Sequence, residues 1–159
     1  VGKNLTISGR LKINPKRLQN YYEIALKASE MSPDAETKVG CVIVGQSKEI
    51  ILTSYNGFIQ GANDSALPNT RPDKYLVMQH AEFNSVCQAA RRGIALSGCS
   101  AVVTLSPCIN CLRALWQVGI REIYFKDKYR DFDKQLNMPD LKISLTSVGI
   151  FTKITLSCG

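Results

Sequence analysis

A single histidine, His80, and a Cys-x-x-Cys pair, Cys108 and Cys111, constrain this chain more than any other feature. One helix and one strand read out between them. For the three side chains to meet on one ion, the chain must leave His80 along a helix and return along a strand. Cys108 must then stand at the start of the next helix. Cysteines three residues apart share a helix face. Pro107 suits the entry to that helix, and the positive end of the helix dipole favours thiolates there. A catalytic zinc takes three protein ligands and keeps one position open for water. One neutral imidazole and two thiolates leave such a Zn2+ site formally uncharged. In an open site of this kind the pKa of bound water falls to about 7, which makes hydroxide available near neutral pH.

Glu82 is not expected among the ligands. Residues two apart on a helix diverge by roughly 200°, so His80 can lean over the helix end toward the metal while Glu82 flanks the water. From there it can move protons as a general acid and base. Taken singly these pieces are weak. A lone histidine is more often structural, and Cys-x-x-Cys alone reads as a redox pair or half a structural zinc site. The conjunction His80-Ala81-Glu82, then Ser106-Pro107-Cys108-Ile109-Asn110-Cys111, is far more specific. It is the signature of zinc-dependent nucleobase deaminases.

The rest of the chain reads as one domain, residues 16–159, preceded by a basic arm over 1–15. A helix is predicted from Pro15 to about residue 30. Leu18, Tyr21, Tyr22, Ala25, Leu26 and Ser29 form its apolar face, and Ser32-Pro33-Asp34 ends it. The continuous apolar run 39–44 reads as a buried strand, with 50–55 as its hairpin partner. Asn56-Gly57 is a turn signal. Residues 57–79 form a long connection, a length usually reserved for functional or disordered loops. Helices over 80–92 and 108–118, closed by Gly93 and Gly119, alternate with strands over 101–105 and 120–125, which pair in parallel. Residues 126–139 read as polar loop. A helix over 140–148 capped by Gly149 is expected, although its β-branched residues also allow a strand, and 150–156 is the last strand. The order gives an α/β fold, a three-layer α/β/α sandwich around one mixed five-stranded sheet.

At 159 residues the chain can bury a proper core. Its 45% hydrophobic and 21% charged content is that of a soluble globular protein. No apolar run approaches a membrane span, and Val1-Gly2-Lys3-Asn4-Leu5 lacks the apolar core of a signal peptide. Of six cysteines two are assigned to zinc. Cys41 and Cys87 read as small core residues, and Cys99 and Cys158 have no assigned role. A reducing compartment, the cytoplasm, is expected (host cytoplasm if the gene is viral). The net charge of +7 fits nucleic-acid binding or an anionic small substrate with a solvated basic tail. No dense basic run interleaved with aromatics occurs, which favours the small substrate.

Beyond the zinc signature the chain resembles the deoxycytidylate (dCMP) deaminase family of the cytidine deaminase-like superfamily. The resemblance runs over about residues 17–156. It is carried by Thr37-Lys38-Val39-Gly40-Cys41-Val42-Ile43, by Ser54-Tyr55-Asn56-Gly57 with Gly61, and by Leu67-Pro68, Arg71 and Lys74-Tyr75. His80-Ala81-Glu82-Phe83-Asn84, Thr104-Leu105-Ser106-Pro107-Cys108, Gly119-Ile120 and Asp127-Lys128-Tyr129 continue it. It implies hydrolysis of dCMP to dUMP and ammonia, with dCTP as a further candidate substrate, supplying dUMP for thymidylate synthesis. It implies Zn2+ on His80, Cys108 and Cys111, with Glu82 as the catalytic acid and base. Asn56 would meet the sugar 3′-hydroxyl, the Ala81 backbone and Ser106 carbonyl the cytosine edge, and Tyr129 the nucleotide. Lys38, Arg71 and Lys74 are the candidates for the 5′-phosphate. Arg91 is the regulatory or interface candidate. dCTP and dTTP effectors, Mg2+ with a regulatory nucleotide, and a homo-oligomer, a hexamer in the family, follow from the same resemblance.

The chain departs from the family pattern at two points. Ile59 stands where the family turn has proline. The one histidine is already used, which leaves none for the second, structural zinc of many members. Activity that does not require dCTP is therefore expected. The competing readings are a deaminase of bases within nucleic acid, tRNA adenosine or polynucleotide cytosine, and a non-enzymatic structural-zinc module. The long 57–79 connection argues against the first, since it reads as a lid over a free phosphate. The second has no use for Glu82.

Overall fold

The computed structural model describes residues 12–138 and 141–158. Helix α1, Pro15–Ser29, is opened by Asn14, whose side-chain oxygen accepts the Arg17 N–H at 2.9 Å, with Pro15 in the first turn. It buries Leu18, Tyr21, Tyr22, Ala25, Ala28 and Ser29. Leu26, predicted on that face, is instead 40% exposed, because it lies one helical step, about 100°, past Ala25. Ile13 is buried and joins the same cluster, so the folded unit begins before the helix.

Six strands form one sheet: β1 Gly40–Val44, β2 Ile50–Tyr55, β3 Ser100–Leu105, β4 Glu122–Asp127, β5 Leu141–Val148 and β6 Phe151–Cys158. Their spatial order is β2-β1-β3-β4-β6-β5. β3 and β4 pair in parallel and every other neighbouring pair is antiparallel. Helices α2, Ala81–Arg92, and α3, Ile109–Gln117, cover one face, and α1 covers the other. The two-residue strand period sorts the core accordingly. Cys41, Ile43, Ala101, Val103, Ile123 and Phe125 pack under α2 and α3, while Val42, Val44, Val102 and Tyr124 pack under α1. Gly40 lets α1 lie close to the sheet: a Cβ there would come within 1.8 Å of the Ala25 carbonyl oxygen.

The largest difference from the sequence reading is the stretch expected as a helix over 140–148. It is strand β5, hydrogen-bonded along its length to β6, which makes the sheet six-stranded rather than five-stranded. Asp140 lies outside the described residues. Gly149 has φ +61°. A left-handed glycine ends helices, but it equally closes a two-residue hairpin turn, and here the pairing of 141–148 with β6 decides for the hairpin. Within the stretch read as loop after β4, Phe132–Gln135 forms a short helix, α4. Phe132 is buried edge-on against Phe125, with ring centroids 4.9 Å apart. Cys41 is fully buried, as expected, whereas Cys87 stands exposed on α2. No helix among the described residues is long and apolar enough to cross a membrane.

The long connection after β2 holds two single-turn helices, Asp64–Ala66 and Asp73–Leu76. Its two ends are pinned together by reciprocal Gly57–Gln79 backbone hydrogen bonds of 3.0 and 2.7 Å. That bridge places Asn56 beside the residue that opens α2, His80.

Candidate active site

The sheet directions bring the ends of β2, β3 and β4 and the start of β1 to one edge. α2 and α3 both begin at that edge, with His80 and Cys108 as their N-caps. Neither residue caps its helix with its own side chain, so both are available to a ligand. His80 Nδ1 lies 3.5 Å from Cys108 Sγ and 3.4 Å from Cys111 Sγ. All three donor atoms lie within 4.8 Å of one another, and they are the only such group of three among the described residues. The spacing fits a metal. Zinc–sulfur and zinc–nitrogen bonds of about 2.3 and 2.0–2.1 Å at a tetrahedral angle separate N from S by roughly 3.5 Å. The donor set, one imidazole and two thiols with no fourth residue, is that of an open site.

The electrostatics suit the same purpose. The Cys108 thiol is held down to about 4, chiefly by a hydrogen bond from Cys111, with further help from the His80 imidazole. Cys111 is pushed up by the same sharing and by burial. His80 is raised, first by its contact with Cys108. Glu82 is buried within the first turn of α2, and desolvation pushes its carboxyl up despite bonds from its own N–H and from Cys111. A buried carboxyl beside a metal position is a candidate proton carrier.

His80, Glu82 and Cys108 line a cavity of about 300 Å3. Ala81 and Ser106 line it. The Ala81 N–H, at the first helical position, has no acceptor within its helix, and the Ala81 carbonyl is held by Ser54 Oγ at 2.7 Å. The Ser106 N–H donates to Asp127 O at 2.9 Å and its Oγ accepts the Tyr129 N–H at 2.7 Å, which ties the loops after β3 and β4 together. Asn56 is buried in the cavity wall.

Arg71, Tyr75 and Tyr129 line the same cavity. Arg71 Nε donates to Tyr75 Oη at 2.8 Å, and its guanidinium reaches Glu36 Oε2 at 3.1 Å and Thr37 Oγ1 at 2.9 Å. Burial tends to raise the Tyr129 hydroxyl, but the guanidiniums of Arg130 and Arg71 outweigh it and hold it below its ordinary value. Arg130 donates to Tyr129 Oη at 3.2 Å.

Three residues expected at the site stand elsewhere or are committed. Lys74 lines the cavity but is buried, with Nζ 2.9 and 2.8 Å from the two oxygens of Asp34. Its charge is neutralised inside the protein. Lys38 is exposed, outside the cavity wall, and its Nζ donates to the Glu30 carbonyl at 3.4 Å. Its neighbours Thr37 and Val39 line the cavity, and Lys38 between them does not. Arg91, in the last turn of α2, borders a separate hollow of about 530 Å3 with Ile59, Asn84 and Cys87. Asp34, Glu36, Thr37 and Arg130 were not singled out from the sequence. Asp34 reads only as part of a helix stop, and Arg130 falls within the stretch 126–139 that reads as polar loop; no spacing marks either.

A mixed sheet with two helices opening onto a shared donor set at one edge defines a protein of the cytidine deaminase-like class. Within that class the chain belongs to the cytidine and deoxycytidylate deaminase family, whose zinc-binding-region model matches residues 15–127. Human deoxycytidylate deaminase is 31% identical over 137 residues, covering 77% of this chain and 76% of the human one. A probable deoxycytidylate deaminase of Caenorhabditis elegans is 36% identical over 114 residues, covering 69% and 57%. The crystal structure of dCMP deaminase from cyanophage S-TIM5 in complex with dCMP and dUMP superposes with a TM-score of 0.64 at 25% identity, covering 77% of this chain and 89% of that one.

Proposed function

We propose that the chain is a zinc-dependent hydrolase that converts dCMP and water to dUMP and ammonia. The observation that carries this reading is a single cavity whose wall holds His80, Cys108 and Glu82 together with Arg71. A cytosine mononucleotide calls for both, a metal and proton carrier for its base and a cation for its phosphate. The family membership and the likeness to a dCMP-bound relative support it.

His80, Cys108 and Cys111 would hold the zinc, which as a Lewis acid makes water a usable nucleophile at neutral pH. Glu82 takes a proton from the attacking water, delivers it to N3 of the cytosine, and passes a second to the departing amino group. The Ala81 N–H and the Ser106 carbonyl present one donor and one acceptor to the base edge, which orients C4. Asn56 meets the sugar. At the phosphate, Arg71 serves with Tyr129, and Arg130, which is outside the cavity lining but donates to Tyr129 Oη, takes the place of Lys38 and Lys74 as the second cation. A guanidinium pairs with a phosphate through two parallel N–H bonds, which an ammonium cannot do.

The test is deamination of a substrate panel by zinc-loaded protein. dCMP is expected to exceed deoxycytidine in kcat/KM by roughly two orders of magnitude or more, with little turnover of single-stranded DNA or tRNA. Equal rates on dCMP and deoxycytidine would remove the mononucleotide reading, and activity confined to a polynucleotide would replace it.

A further inference from the structure

Glu36 stands against the cation assigned to the phosphate, and the deamination itself has no use for it. Its Oε1 accepts the Arg71 main-chain N–H and lies 3.5 Å from Lys74 Nζ, and its Oε2 accepts from the Arg71 guanidinium at 3.1 Å. The Arg71 and Glu36 side chains are 34% and 31% exposed, so the pair is neither sealed in the protein nor fully in water. The Glu36 carboxyl is held below its ordinary value, first by the bond from the Arg71 N–H and further by the charges of Arg71 and Lys74, although burial opposes them. Glu36 is therefore an anion at neutral pH. The charges around it cancel. Asp34–Lys74, Lys74–Glu36 and Glu36–Arg71 contacts of 2.8, 3.5 and 3.1 Å join two carboxylates and two cations into one chain with no net charge. The guanidinium is also engaged at all three nitrogens: Nε on Tyr75 Oη, one terminal nitrogen on Glu36 and the other on Thr37 Oγ1. An arriving phosphate thus meets hydrogen-bond donors whose positive charge is already counterbalanced.

We propose that Glu36 is a specificity-determining residue: its carboxylate, seated on the guanidinium that takes the 5′-phosphate, limits the charge the site accepts, so that a nucleoside monophosphate is taken and di- and triphosphates are turned away. Donor groups recognise the oxygens of any phosphate, whereas a fixed carboxylate acts on the ligand's total charge. Two unit charges about 6 Å apart in water-like surroundings change an equilibrium by roughly threefold. Every further negative charge on the ligand therefore meets a penalty of that order from Glu36. This inference rests on the mononucleotide reading above and names the charge class of its substrate.

The test is a charge series on zinc-loaded enzyme at about pH 8, where a phosphate monoester is a dianion. Deoxycytidine, the 5′-methyl ester of dCMP, dCMP and dCDP carry successively more negative charge on the same nucleoside. Wild type is expected to use dCDP at least about tenfold less well than dCMP in kcat/KM. Glu36→Gln keeps the length of the side chain and an acceptor for Arg71 but removes the charge. Relative to wild type it is expected to leave deoxycytidine unchanged and to gain about threefold on the methyl ester, about tenfold on dCMP and about thirtyfold on dCDP, through KM and not kcat. Calorimetric titration with the products dUMP and dUDP, which needs no turnover, is expected to show the last two gains as tighter binding. A lower kcat/KM on dCMP in Glu36→Gln would make the carboxylate a mere holder of Arg71 and overturns this inference alone. So does an equal change across the series, deoxycytidine included, or a wild type that uses dCDP as well as dCMP. Equal rates of wild type on deoxycytidine and dCMP overturn the proposed function first and this inference with it.

Discussion

Lys74 Nζ and Asp34 Oδ2 lie 2.8 Å apart with side chains 4% and 3% exposed, a buried ion pair in the wall of a cavity that reads from sequence as needing that lysine for phosphate. The pair has a pH signature. Burial raises Asp34, but bonds from Lys74 and from the Thr37 and Glu36 N–H groups more than offset it and hold the carboxyl below its ordinary value. A carboxyl depressed by folding contributes stability above its unfolded pKa of about 3.9 and loses that contribution as pH falls through the lower folded value. The melting temperature of wild type is expected to fall steeply below about pH 4. Asp34→Asn/Lys74→Met should show a shallower acid slope, and Asp34→Asn alone, which strands the lysine, should destabilise by about 3–5 kcal/mol at neutral pH. Parallel acid slopes in wild type and double variant would argue against the pair as the source.

Glu82→Gln separates proton transfer from metal binding. The amide keeps the shape of the side chain but cannot take a proton. Deamination of dCMP is expected to fall by about 10²–10⁴-fold while metal analysis still finds about one zinc per chain. Loss of zinc from this variant would make Glu82 a ligand.

Cys108→Ala removes one of three donors that join the starts of α2 and α3. Zinc content is expected to drop to background and the melting temperature to fall, because metal affinity in such a site is also folding free energy. Adding a chelator to wild type should reproduce both effects. A variant that melts like wild type and keeps its metal would place the site elsewhere.

Arg71→Ala and Arg130→Ala are each expected to narrow the dCMP-to-deoxycytidine ratio of kcat/KM by roughly tenfold, with zinc unchanged. Lys38→Ala, at an exposed position outside the cavity wall, should leave the ratio where it was. A ratio that responds to Lys38 and ignores Arg130 would reverse this choice of cations.

Gly40→Ala tests the packing of α1. The added methyl would sit 1.8 Å from a backbone oxygen, that of Ala25, and backbone cannot swing aside as a side chain tip can. A loss of about 1–3 kcal/mol is expected, more if the helix cannot shift. A melting temperature within a degree of wild type would mean that the helix sits farther from the sheet than described.

Much of the fold and the metal site were legible in the residues themselves, because both rest on local rules. Pro15, Gly93 and Gly119 mark helix ends through backbone geometry, and the apolar runs of β1 and β3 can only be strands buried on both faces. A Cys-x-x-Cys at a helix start brings its sulfurs to one face whatever surrounds it, and His-x-Glu divides ligand from proton carrier by helical angle. Tertiary structure alone decided what depends on partners distant in sequence. Gly149 serves a helix end and a hairpin turn equally well, and only pairing with β6 made 141–148 a strand. The cations differ in the same way. Lys38, Lys74, Arg71 and Arg130 are alike in formal charge, and no spacing tells them apart. Lys74 is consumed by Asp34, forty positions away, Lys38 stands exposed against the Glu30 carbonyl, and Arg71 and Arg130 are left facing Tyr129. The charge of a side chain is written in the sequence; whether that charge is available to a ligand depends on which neighbours folding brings within 3 Å of it.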